Sequence, residues 1–128
     1  MNTKLLMTAA SIVLGIAGIS LSFFPQEITV LLEAHITTTL TIILQLLGAL
    51  YFGFAMLNWL AKDSLLGGIY GRPIVVGNMA HFVIGALALL KVVSQTQQII
   101  IVGAAIVYAV FALLFSLVMY KNPSQKEI

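Results

Sequence analysis

Asn78 and His81 stand three residues apart in an otherwise apolar stretch. On a helix that spacing puts them on one face. His81 falls at the middle of the uncharged run 73–90, within about 1 Å of its midpoint at the helical rise. Tyr51 and Tyr108 sit near the centres of two other apolar runs, and Gln45 lies toward one end of the run that holds Tyr51. An imidazole, two amides and two phenols at comparable depth could hydrogen-bond the polar end of an otherwise apolar ligand. The plainer account is that His81 and Asn78 bond to a tyrosine hydroxyl or a backbone carbonyl and fix helix packing.

A second group gathers where two runs approach the same boundary: Asn58, Trp59 and Lys62, with Arg72 and Asn78 at the start of the next run. A helix N-terminus offers unpaired N–H groups and a positive dipole end, and an adjacent Arg completes a site for an anion such as a lipid phosphate. The competing account makes Trp59 part of an interfacial aromatic belt and Lys62 and Arg72 head-group anchors.

Catalytic patterns are missing. The only aspartate is Asp63, no paired carboxylates fall within an apolar run, and no GxxxxGK loop occurs. With two histidines, His35 outside the apolar runs and His81 deep within one, no metal or haem ligand set is expected, and no cofactor. The absence of cysteine excludes disulfides, thiolate metal sites and thiol redox chemistry.

The elements that must position these groups follow from composition. The chain has 128 residues, 61% hydrophobic and 8% charged, with mean hydropathy +1.11. Soluble domains are about 45–50% apolar and about 25% charged. A water-soluble globular protein is excluded. The formal charge of +2 is too small for a nucleic-acid footprint, so no nucleic-acid partner is expected.

Charge-free runs cover 5–24, 40–60, 73–90 and 99–120. About 17–25 residues are needed to cross a hydrocarbon core about 30 Å thick, and backbone groups there must be satisfied within a helix. The runs predict four transmembrane helices over about 5–24, 40–60, 73–91 and 99–120: an all-α, four-transmembrane-helix bundle in a single membrane domain. The first run exceeds the 7–15 residues of a signal-peptide core and no small-x-small cleavage site follows it, so it counts as a helix. Residues 26–37 put Ile28, Leu31, Leu32 and Ile36 on one helical face and Thr29, Glu33 and Thr37 on the other. An amphipathic segment along the outer interface is expected there, a simple loop being the alternative. The tail 122–128 is polar and expected to fray, and Gly67, Gly68 and Gly71 loosen the second loop.

With the N-terminus cytoplasmic, Lys4, Lys62, Arg72, Lys121 and Lys126 lie inside and Lys91 outside. This bias places both termini in the cytoplasm. Small residues line each run: Ser11 and Gly15, Gly18 and Ser22; Ala49 and Gly53; Gly77 and Gly85 flanking His81; Ala105 and Ala109, Ala112 and Ser116. Such stripes let backbones approach within lipid. Most are expected to pack the four helices together, with the first or the fourth also available for a homodimer.

No Asp, Glu, Lys or Arg lies within the runs, so proton or cation antiport through a mid-depth carboxylate is excluded. Small multidrug resistance transporters share the size and layout but depend on a glutamate in the first helix, which is missing here. The chain resembles instead the small bacterial four-helix membrane proteins of the DoxX-like group. The likeness rests on Phe23-Phe24-Pro25, on Leu47-Gly-Ala-Leu-Tyr-Phe-Gly53 and on Gly71-Arg-Pro-Ile-Val-Val-Gly-Asn-Met-Ala-His81. It implies the four-helix fold, and for some members a role as membrane subunit of a quinone-linked oxidoreductase.

The expectation is therefore a non-catalytic protein of the bacterial inner membrane that binds a lipid or lipid-like hydrophobic molecule. His81, Asn78, Tyr51, Tyr108 and Gln45 would contact the ligand, and Arg72, Asn58, Trp59 and Lys62 its head group. A structural or accessory subunit, or the anchor of a quinone-linked oxidoreductase, is the alternative.

Overall fold

A computed structural model describes residues 2–64 and 71–121. In chain order they form α1 (Thr3–Phe23), α2 (Pro25–Leu31), α3 (Thr38–Ala61), α4 (Gly71–Val93) and α5 (Ile99–Lys121), with no strand among the described residues. The four long helices contain 21, 24, 23 and 23 residues, or about 32–36 Å at the helical rise, enough to cross a bilayer core. All four are apolar enough to do so. The chain is an all-α, multi-pass membrane protein. Gly67, Gly68, Lys126 and the rest of the tail lie outside the described residues.

Sequence chemistry accounts for the helix ends. α3 starts two residues ahead of the charge-free run's first leucine because Thr37 caps it, its Oγ1 accepting from the Leu40 N–H at 3.0 Å. α4 runs through Pro73, which occupies the first turn where its missing N–H costs nothing. α2 opens on Pro25 and closes with Glu33 at φ 57°, while the Glu33 and Ala34 amides donate back to Val30 O and Thr29 O at 3.0 and 3.1 Å. This is a Schellman-type close with a glutamate where glycine is usual.

α2 stops short of Ile36. Its buried residues are Pro25 and Thr29, whereas Val30 and Leu31 are exposed. The face expected to be polar thus supplies the buried threonine. Thr29 Oγ1 donates to Pro25 O at 2.8 Å, so its burial leaves no orphaned hydroxyl.

Two compact units divide the chain: Met7–Lys62, holding most of α1 with α2 and α3, and the remainder, holding α4 and α5. In the first, α1 and α3 run antiparallel, Ser11 meeting Ala55 and Ser22 meeting Gly48. A Cβ at Gly18 would lie 2.7 Å from Phe52 N and 2.9 Å from Gly48 O, and one at Gly48 would lie 2.8 Å from Gly18 O. Only glycine permits this backbone approach, which brings the Ser11 hydroxyl to 2.7 Å from Ala55 O. The small-residue stripe of α1 is therefore taken up within the chain. Ala49 and Gly53 of α3 are exposed, with nothing within 4 Å of a Cβ on Gly53.

In the second unit, residues 94–98 join α4 to an antiparallel α5, and the core between them is aromatic. Phe82 and Phe115 are wholly buried. The Phe82 ring stacks on Phe111 and Phe115 at centroid distances of 4.9 and 5.7 Å, and meets the Tyr108 ring nearly edge-on at 5.1 Å. Ala105 and Ala112 are buried as well. Lys4 and Asp63 pair at 2.7 Å with both side chains mostly exposed.

Candidate polar site in the α4–α5 pair

Two of the polar residues read from the sequence meet. His81 Nε2 lies 3.1 Å from the Tyr108 hydroxyl, with ring centroids 5.3 Å apart. α4 contributes the imidazole from near its middle and α5 the phenol from near its own. Tyr108 is buried, whereas His81 is only partly so. Phe82, next in the chain, sets its ring edge-on to the imidazole at 5.0 Å, so one wall of the pair is aromatic.

The other members are placed differently. Asn78 is buried, and its amide donates to Ile74 O at 2.9 Å, one turn back along α4. That bond satisfies a donor locally where an unsatisfied amide would be costly. Gln45 lies on α3, exposed, its amide 3.5 Å from Ser22 O of α1. Tyr51 is half-buried on α3.

The head-group residues divide as well. Lys62 Nζ sits 3.1 Å above the centre of the Trp59 ring, a cation–π contact at the end of α3. Trp59 is exposed, as suits an interfacial aromatic that holds a lysine near head groups. Asn58 is wholly buried and donates to Phe54 O at 2.9 Å, so it is withdrawn from the surface that Trp59 and Lys62 share. Arg72 is exposed at the second position of α4. His35 is exposed between α2 and α3, and among the described residues no three of His, Cys, Asp and Glu gather as a metal site would require.

Sequence reasoning missed the aromatic wall. Tyr108, Phe111 and Phe115 follow an i, i+3, i+7 pattern on α5, which marks one helical face. In a helix apolar on every side this pattern has little contrast.

The arrangement can offer a hydrogen-bonding head at mid-membrane depth beside apolar surface. An imidazole and a phenol make up the pair, with no carboxylate among the side chains described for it. Comparison with protein-family models, curated proteins and solved structures finds no match.

Proposed function

We propose that this chain is a non-catalytic protein of the bacterial inner membrane, with both termini in the cytoplasm, that binds a lipid or lipid-like hydrophobic molecule. The observation that carries the reading is His81: a partly exposed imidazole near the middle of an apolar helix, bonded to a buried phenol. Polar groups at that depth are expensive to place and by default mark function. Tyr108 orients the ring, the exposed part of His81 meets the polar end of the ligand, and surrounding apolar side chains accommodate its tail. Trp59 with Lys62, and Arg72, hold head groups at the cytoplasmic boundary. The likeness to the DoxX-like group belongs to the same proposal.

Native mass spectrometry from mild detergent tests this. A discrete hydrophobic molecule should co-purify with the wild type and be lost from His81→Leu while thermal unfolding still shows a folded protein. Retention of the molecule by His81→Leu would remove the reading.

A second reading is favoured by the amides of Asn58 and Asn78, each of which donates to a carbonyl of its own helix. Buried polar groups of this kind fit a packing role, as in an accessory subunit, a homodimer or the anchor of a quinone-linked oxidoreductase. Purification without any bound molecule but with a second protein, or a second copy, supports that reading. A co-purifying redox-active quinone supports the oxidoreductase anchor.

A further inference from the structure

Gly85 lies one turn beyond His81 on α4, where a small residue first suggests only close helix packing. Its surroundings are more specific. A Cβ built on Gly85 would fall 2.5 Å from Cε1 and 2.6 Å from Cδ1 of Tyr108, and the next atom of the same ring is 3.7 Å away. No other side chain comes as close, so the glycine makes room for one ring alone.

That ring has little freedom. Phe82 meets it nearly edge-on at 5.1 Å and Tyr108 is buried. Relief of a methyl group at residue 85 requires the phenol to swing away from α4. The same movement carries its hydroxyl off His81 Nε2, which it now meets at 3.1 Å.

We propose that Gly85 is a positioning residue: it seats the Tyr108 ring across α4 so that the phenol reaches and orients the His81 imidazole. As a contribution to ligand binding this rests on the reading of His81 and Tyr108 as the ligand site. The role in orienting His81 does not.

The chain has two histidines, so 15N-histidine labelling gives a direct readout, with His35, exposed outside the spans, as internal reference. In Gly85→Ala the imidazole resonances of His81 should shift in the direction produced by Tyr108→Phe, while those of His35 stay in place. The double variant Gly85→Ala/Tyr108→Phe should shift no further than Tyr108→Phe alone. Gly53→Ala, at a glycine with nothing within 4 Å, should leave both histidines unmoved.

Unchanged His81 resonances in Gly85→Ala would overturn the proposal, as would an equal extra shift in the Tyr108→Phe background. If Gly85→Ala does not fold, Gly85→Ala/Tyr108→Ala removes the ring that is struck. Recovery of folding supports the proposal, and continued failure overturns it. Mass spectrometry separates the two ideas. A Gly85→Ala shift together with a ligand kept by His81→Leu removes the binding site but leaves the positioning role intact.

Discussion

At the scale of single residues, the bond between His81 and Tyr108 and the ring packing around it differ in weight. Hydrogen bonds between membrane helices average about 0.6 kcal/mol and reach about 1.7 kcal/mol, because alternative partners exist in the unfolded state. Tyr108→Phe keeps the ring and loses the bond, so unfolding in detergent should become easier by about 0.5–1.5 kcal/mol. Phe82 contacts three aromatic rings besides His81 and is wholly buried. Phe82→Ala should cost about 3–5 kcal/mol, the range for emptying an aromatic site. Equal losses from the two variants would show that the polar bond weighs as much as the aromatic wall in holding α4 to α5. His81 and Tyr108 were both legible as candidates because polar residues stand out in apolar runs. A tyrosine hydroxyl was among the partners expected for His81, but which tyrosine was not legible, since the two are 27 residues apart on different helices.

At the scale of elements, two glycines on neighbouring stripes carry opposite expectations. Gly18→Ala drives a methyl group into the backbone of α3 at Phe52 and Gly48. Backbone cannot rotate away as a side chain can, so the two helices must separate, at about 1–3 kcal/mol. Gly53→Ala meets nothing within 4 Å and should be neutral or stabilising by up to about 1 kcal/mol, the helix-propensity difference. Parallel thermal unfolding of both variants checks the contrast, and equal destabilisation would contradict the α1–α3 packing described. At the close of α2, Glu33 occupies the left-handed region at φ 57°. Glu33→Gly should raise stability by about 1 kcal/mol, because a side chain there strains the backbone. The stripes on α1 and α3 were evident as small residues at four-residue spacing. Which of them the chain itself uses was not, because spacing shows a face without showing what covers it. Thr37, read as part of an interfacial segment, proved to be the cap of α3, a role that its position just before an apolar run could have signalled.

At the scale of the whole molecule, four crossings make a prediction about sidedness. The chain contains no native cysteine, so single replacements report cleanly. Lys4→Cys and Lys62→Cys should react with an impermeant maleimide from one side of the membrane, and Lys91→Cys from the other. Labelling of residues 62 and 91 from the same side would mean that α4 does not cross. Loss of the Lys4–Asp63 pair in the first variant should matter little. Both side chains are mostly exposed, and such pairs contribute about 0–1 kcal/mol.

The number and length of the crossings could be read from composition and the spacing of charges, since hydrocarbon admits neither formal charge nor unsatisfied backbone over about 30 Å. Any chain with these runs meets that constraint locally, helix by helix. The meeting of His81 with Tyr108, the burial of Thr29 and Asn58, and the use of Gly18 and Gly48 between α1 and α3 depended on the packed structure. Lipid is as apolar as leucine, so hydrophobicity does not distinguish an inward face from an outward one. Steric fit made that choice: a phenol beside a glycine, a hydroxyl beside a carbonyl, one backbone against another.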